Sequence, residues 1–461
     1  MSAPEQSDRW DAAARLDRLP FTRLHAAIVA VCALGLVFDV VELGLSNALS
    51  AVFSAPPHQV SSSALSLLLA SVFAGGAIGA PVLGWLGDRI GRQKTLSITL
   101  VVLAATSLCA AASPDVAWLT FFRFLSGIAI GAYPPLIIAY LSDVLPPARR
   151  GMLILIVGGI GFLGAPLVVF LIRWLTPLQP LGLQGWQWAL IFGGIGAAVI
   201  AVLLRRLPES PRWLLAAGRR AEAEAVCRRF ESAAGLPPPA DIASASGEIG
   251  KPPASGDADR RTGESFWSPA GSVHRRRAAL IGALYVLSPW ATIGFPLLSG
   301  AVLIEKGFRV SDSLLFVGVT MLGPTLGSFA ASLGIDRIER RTAIVLCAGV
   351  MAAAGLAFGA ADAPAVILGA GIVFNLVGAV YISTASVYTA ELFPTRLRAS
   401  VTASAWAVNR VSSTLVPIAL LPLLKVGGPV AMLAVVAAIL VAIAVMILAL
   451  GPRGLAGRPV E

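Results

Sequence analysis

Apolar residues run along this chain in long blocks separated by short polar turns. Twelve blocks stand out, at roughly 26–53, 63–84, 95–112, 117–141, 151–174, 187–205, 278–302, 312–333, 342–360, 364–387, 399–424 and 428–450. Each is close to the roughly 20 residues that an α-helix needs to cross the hydrocarbon core of a bilayer. Glycine and proline inside them fit membrane helices, where both are common. The pattern predicts an all-α membrane protein with twelve transmembrane helices in two six-helix halves. The halves are 26–205 and 276–451, with an N-terminal segment 1–25, a linker 206–275 and a tail 452–461. Residues 8–18 have the spacing of a short amphipathic helix, and Ser210 to Ala234 reads as helical. Residues 235–270 are rich in Pro, Gly, Ser and Ala, too poor in apolar surface to order themselves, and are expected to be a flexible joint.

The polar turns repeat. Gly87-Asp88-Arg89-Ile90-Gly91-Arg92 returns as Ile335-Asp336-Arg337-Ile338-Glu339-Arg340. Tyr140, Asp143, Pro146 and Arg150 return as Tyr388, Glu391, Pro394 and Arg398. The offset is 248 in both cases (336−88 and 388−140). Two unrelated charged motifs sharing one offset imply two copies of one unit fused head to tail, a known plan for membrane transporters. Charges without a counterpart in the other copy are then the place to look for specific function.

Composition agrees. Hydrophobic residues make up 57% and charged residues only 13% of the 461, against about 25% charged in soluble domains. The net charge of +10 would fit a nucleic-acid partner, but orientation explains it better. With both termini in the cytoplasm, all but six of the 35 Lys and Arg fall on cytoplasmic segments, the exceptions being Arg123, Arg173, Lys306, Arg309, Arg410 and Lys425. That is the positive-inside rule, and no nucleic-acid partner is expected. The four cysteines and three histidines form no metal or redox spacing. No metal or cofactor is expected, and nothing points to an enzyme. The expected setting is a plasma membrane, the inner membrane of a bacterium, crossed many times by a monomer.

The motifs carry a family resemblance across essentially the whole chain. Gly84-Trp85-Leu86-Gly87-Asp88-Arg89-Ile90-Gly91-Arg92-Gln93-Lys94 resembles the loop 2–3 signature of the major facilitator superfamily. Pro208-Glu209-Ser210-Pro211-Arg212-Trp213-Leu214 resembles the sugar-porter signature after span six. Arg123, Gly127 and Gly131 through Asp143, Pro146 and Arg150 resemble its span-four signature, and Tyr388 to Arg398 its span-ten exit. Within the superfamily, Phe38-Asp39 and Glu42 resemble the branch of synaptic-vesicle-protein-like, aromatic-acid, nicotinate and organic-ion carriers. Aromatic-acid symporters carry Asp-Gly-Phe-Asp there, whereas this chain has Leu36-Val37-Phe38-Asp39. The resemblance implies the major facilitator fold and proton-driven transport by alternating access.

Charged residues at the cytoplasmic ends form a candidate gate: Asp88, Arg89, Arg92, Asp143, Arg150, Glu209 and Arg212, with Asp336, Arg337, Arg340, Glu391 and Arg398. Opposite charges on neighbouring helix ends can pair in one state and release in another. The other reading is that they only anchor loops and set topology.

Asp39 and Glu42 lie within span one, three residues apart and so on one helix face. Charges at membrane depth are costly and mark a pathway. Arg123 lies in the outer part of span four, and an Asp39–Arg123 pair, broken when Asp39 takes a proton, is the expected coupling device. The resemblance to proton-coupled sugar carriers implies the same roles. A permanent structural pair is the other reading, and Glu42 is the alternative proton carrier. Neither Asp39 nor Arg123 has a charged repeat counterpart, the equivalents being Leu287 and Gly371. Arg410, whose counterpart is Phe162, lies within span eleven. Its forked donors suit a carboxylate, and anion carriers of the organic-ion branch tend to have Arg near this position. It is expected to bind substrate together with Asn409, Asn375, Tyr381, Tyr285, Trp290 and Trp406; snorkelling or pairing with Asp39 or Glu42 is the other reading.

These features point to a secondary transporter of a small organic solute, foremost an aromatic or aliphatic carboxylate, moved in symport with protons. Its energy source is then the proton gradient. Proton-coupled export by antiport and symport of a sugar or polyol are the alternatives.

Overall fold

The computed structural model describes residues 15–16, 18–235, 272–334, 338–393 and 395–452. It is helical almost throughout. The first half holds α1 (Arg23–Val52), α2 (Ser62–Ile90), α3 (Arg92–Ala111), α4 (Val116–Val144), α5 (Pro147–Gly161), α6 (Gly164–Leu175) and α7 (Gly185–Leu204). Two short helices follow, α8 (Pro211–Ala216) and α9 (Arg220–Ala233). The second half holds α10 (Ser272–Thr292), α11 (Gly294–Glu305), α12 (Val310–Thr320), α13 (Leu322–Gly334), α14 (Arg340–Ala360), α15 (Pro364–Glu391) and α16 (Thr395–Leu450).

Local chemistry sets the ends. Thr22 and His25 form a capping box at the start of α1, and Ser61, Asp115 and Ser210 cap α2, α4 and α8 with side-chain oxygens. Three predicted spans are broken in the middle, and each break has a proline just beyond it. Pro166 follows the break at Phe162, Pro296 the break at Ile293, and Pro324 the break at Met321. A proline has no N–H to donate, and its ring clashes with the carbonyl four residues back, so the helix gives way at that point. Taken across these breaks, eleven described helices are long and apolar enough to cross a membrane. The last, Ser404–Leu450, is 47 residues long, twice a spanning length. Its backbone leaves the helical region at Gly428, with φ of 75° and ψ of 178°, just before Pro429.

Within the first half, α2 and α4 meet backbone to backbone. A Cβ on Gly79 would sit 1.9 Å from the Ile128 carbonyl oxygen, and one on Gly127 would sit 2.2 Å from that of Val72. Without side chains at these positions the helices approach closely, which seats α4 and its Arg123 against the rest of the half.

The halves touch near the end of the bundle remote from the Gly87–Arg92 loop. Asn47 donates to the Met321 sulfur at 3.4 Å, Ser66 to the Pro417 carbonyl at 3.1 Å, and Arg173 to the Ser311 carbonyl at 3.0 Å. Gly300 of α11 lies directly against Asn47, Ser50 and Ala51 of α1.

The helices α8 and α9 dock under the first half. Phe230 is fully buried, 4.9 Å from the His25 ring. Arg15 forks onto Glu224 at 2.6 Å and Glu231 at 2.8 Å. The expected helix at 8–18 is described only at Arg15, Leu16 and Arg18, and the joint expected at 235–270 is described only at Gly235.

Candidate functional site

Four charged side chains lie deep in the apolar helices: Asp39 and Glu42 on α1, Arg123 on α4 and Arg410 on α16. Asp39, Glu42 and Arg123 are at most 1% exposed. Arg410 is half-buried.

The expected Asp39–Arg123 pair is not what the structure contains. Arg123 pairs with Glu42, and its second nitrogen donates to the Glu42 carbonyl at 2.9 Å and to the Ser46 hydroxyl. Ser107 of α3 donates to the other oxygen of the Glu42 carboxylate. Depth explains the choice. Glu42 is 10 residues from the Val52 end of α1 and Asp39 is 13, so they lie about 15 and 20 Å from that end at 1.5 Å per residue. Arg123 is seven residues from the start of α4 at Val116, about 10 Å in, and so meets the shallower acid.

Asp39 is left differently placed. Neither of its carboxylate oxygens has a hydrogen-bond partner. Arg410 of the other half lies within electrostatic reach of it. Tyr133 of α4 is also within electrostatic reach; its hydroxyl is buried, likewise without a partner, and packs onto Gly35 one turn along α1.

Several expected residues come together where α16 meets α10. Trp406, one turn before Arg410 on the same helix face, meets Tyr285 of α10 edge to face at 5.7 Å between ring centres. Asn409 donates to the Tyr285 carbonyl at 3.4 Å, and Ser412 to the Val286 carbonyl at 2.6 Å. Tyr381 shares a 2.7 Å hydrogen bond with Ser288. The Tyr285 hydroxyl is buried and without a partner. Two expected residues stand apart from this cluster. Asn375 donates to the Gly371 carbonyl of its own helix at 3.0 Å and packs on Gly323, while Trp290 packs partly buried against the main apolar core. The sequence reading missed Ser46, Ser107 and Tyr133. Hydroxyls are common in apolar helices, and no spacing marks these three.

The charged helix ends pair in a repeated way. Arg92 reaches Asp143 at 3.8 Å and Asp88 at 2.9 Å. At the repeat offset, Arg340 reaches Glu391 at 3.3 Å. Glu209 accepts from the backbone N–H of Gln93 and of Ser210, both at 2.9 Å. Ser210 donates to Asp143 at 2.7 Å, and Tyr140 to the Pro208 carbonyl at 2.6 Å. Arg150 donates to the Leu145 carbonyl at 3.1 Å, Arg89 stacks 4.2 Å over the Trp85 ring, and Arg212 is half-buried in α8. Asp336, Arg337 and the side chain of Arg398 lie outside the described residues.

This arrangement is that of a carrier: two repeated halves, charges buried between helices, and polar and aromatic side chains converging at membrane depth. Comparison with known proteins agrees. The niacin transporter NiaP of Acinetobacter baylyi is 25% identical over 411 residues, 88% of this chain and 89% of that protein. The arabinose-proton symporter of Bacillus subtilis is 30% identical over 227 residues, 46% of this chain and 47% of its own. A partially occluded inward-open structure of the xylose transporter XylE from E. coli superposes with a TM-score of 0.73 at 19% identity, covering 93% of this chain and 98% of XylE; at that identity the likeness shows the fold. The family described as "Sugar (and other) transporter" matches residues 25–456. The chain therefore belongs to the sugar (and other) transporter family of the major facilitator superfamily, as a multi-pass membrane transporter of metabolites and not an enzyme.

Proposed function

We propose that the protein carries a small organic carboxylate across the membrane together with protons, by alternating access, with no cofactor beyond the proton gradient. The observation that carries this reading is Arg410. Among the described residues it is a cation within the apolar helices that has no repeat counterpart and lies within electrostatic reach of a carboxylate lacking any hydrogen bond, Asp39. A guanidinium so placed offers a substrate carboxylate two parallel donors, and the Trp406–Tyr285 pair beside it offers an apolar wall for the rest of the molecule. Niacin, named for one relative, is such a carboxylate.

Topology follows the same reading. The helical break at Gly428 divides the 47-residue last span into two crossings, making twelve. The face carrying the Gly87–Arg92 loop is cytoplasmic by the positive-inside rule, and so are both termini. The membrane is the bacterial inner membrane.

A sugar or polyol is the second reading, favoured by the family description and by the arabinose-proton relative. The two separate in proteoliposomes loaded with a pH dye. Internal acidification on adding nicotinate or another carboxylate supports the first reading. Acidification only with pentoses or polyols overturns it and leaves the second.

A further inference from the structure

The four deep charges fall into two pairs of unequal kind. Glu42 is held from three sides by this chain: its carboxylate by Arg123 and by Ser107, its carbonyl by Arg123 again. Arg123 is held in turn by Ser46. Both members belong to the first half, so movement of one half against the other leaves the pair intact. Asp39 makes no hydrogen bond, and the cation within electrostatic reach of it, Arg410, belongs to the second half. The remaining groups facing Asp39 are Glu42 on its own helix and Tyr133 on α4. Arg123 of α4 also packs on this helix, one turn along, where Glu42 and Ser46 hold it.

The charges at membrane depth sum to zero when both pairs are ionised. A charge left over at that depth is strongly disfavoured. A substrate anion at Arg410 adds one negative charge, and one proton on Asp39 removes it. Empty and fully loaded sites are then both neutral, while an anion without a proton, or a proton without an anion, leaves one charge unbalanced.

Resting on the carboxylate–proton reading above, we infer that the site exchanges charge one for one. The substrate carboxylate takes the place of Asp39 at Arg410, the freed Asp39 carboxylate binds one proton from the water on that side, and Glu42 stays bound to Arg123 and Ser107. Coupling is obligatory because only the two neutral states cross readily. The preferred substrate class is a monocarboxylate, and its transport is electrically silent.

The test uses the full chain in proteoliposomes, with labelled nicotinate and gluconate as probes and uptake into protein-free vesicles subtracted. The potential is set by potassium and valinomycin. An inward acid gradient of one pH unit is expected to accumulate the transported probe up to about tenfold, unchanged by potential of either sign. A tenfold change per about 59 mV, or accumulation approaching a hundredfold per pH unit, overturns the one-for-one exchange while leaving carboxylate–proton symport in place. Movement of neither probe nor of any other carboxylate overturns both. Asp39→Asn is expected to retain exchange of internal for external probe and to lose acid-driven accumulation; retained accumulation overturns the role of Asp39. The wild-type measurements stand alone if that variant does not fold.

Discussion

Asp39 of the first half and Arg410 of the second lie within electrostatic reach of each other, and no hydrogen bond holds the Asp39 carboxylate. One turn along α1, Glu42 is fully engaged by Arg123 and Ser107. Two acids three residues apart thus have opposite fates, one fixed and one available. Each consequence of that division is open to measurement.

Removing Glu42 leaves the Arg123 guanidinium buried and uncompensated. Breaking one partner of such a pair costs about 3–5 kcal/mol. Glu42→Gln is expected to lower the thermal midpoint in detergent sharply, whereas Glu42→Gln combined with Arg123→Met recovers much of the loss. Asp39→Asn breaks no hydrogen bond and leaves uncompensated only the half-buried Arg410 rather than a fully buried guanidinium, so it changes the midpoint less. Equal losses from Glu42→Gln and Asp39→Asn would contradict the division of roles.

Arg410→Ala removes the forked donor from the proposed anion site. Charge-assisted hydrogen bonds contribute about 1.5–3 kcal/mol, so nicotinate affinity is expected to fall by about 10- to 100-fold. Arg410→Lys keeps the charge and loses the fork, and falls between. Tryptophan fluorescence titration reads both, since Trp406 lies one turn away. An unchanged affinity in Arg410→Ala rules out the contact.

The repeat offset predicted where the charged helix ends would recur, and the structure goes further by placing the same pair twice: Arg92 with Asp143, and Arg340 with Glu391. Both pairs tie helices within one half, and in each the acid is partly exposed although Arg340 itself is buried, so each contributes about 1 kcal/mol. Asp143→Asn and Glu391→Gln are expected to destabilise by similar small amounts that add in the double variant. A clear departure from additivity would show that the two halves share one latch.

The positions of helices and of the deep charges were legible because apolar length and isolated charge are strong signals. The partner of Arg123 was not. Spacing of three puts Asp39 and Glu42 on one face of α1, and choosing between them needs the relative depth of two helices, which no local pattern encodes. The breaks at Phe162, Ile293 and Met321 were readable in principle from Pro166, Pro296 and Pro324, but membrane helices tolerate proline often enough that the residue alone does not fix a break. Arg15 looked like one more basic residue of a cytoplasmic segment; its fork onto Glu224 and Glu231 depends on α9 folding back under the first half.

Burial on that docked helix has its own signature. Glu224, Cys227 and Glu231 share a face of α9, spaced by three and four residues. Desolvation pushes the Cys227 thiol up from 9.0 to about 11. The folded chain therefore keeps a proton that the unfolded chain releases as pH rises from about 9 to about 11. Stability from this group is complete below that window and is lost across it, at up to about 1.4 kcal/mol per pH unit. Melting at pH 8 and pH 10 reads the loss. Maleimide labelling of Cys227 at pH 8 is expected to be slow, and Arg15→Ala to accelerate it by loosening α9. Rapid labelling of the unaltered chain would contradict the docked position.

The central claim is that binding one carboxylate at Arg410 brings one proton onto Asp39. Calorimetric titration of nicotinate into the purified protein, repeated at one neutral pH in buffers of different ionisation enthalpy, counts that proton directly. The account predicts an uptake of about one proton per anion bound, falling to none in Asp39→Asn while binding persists. Binding with no proton uptake in the unaltered protein, or with undiminished uptake in Asp39→Asn, would contradict it.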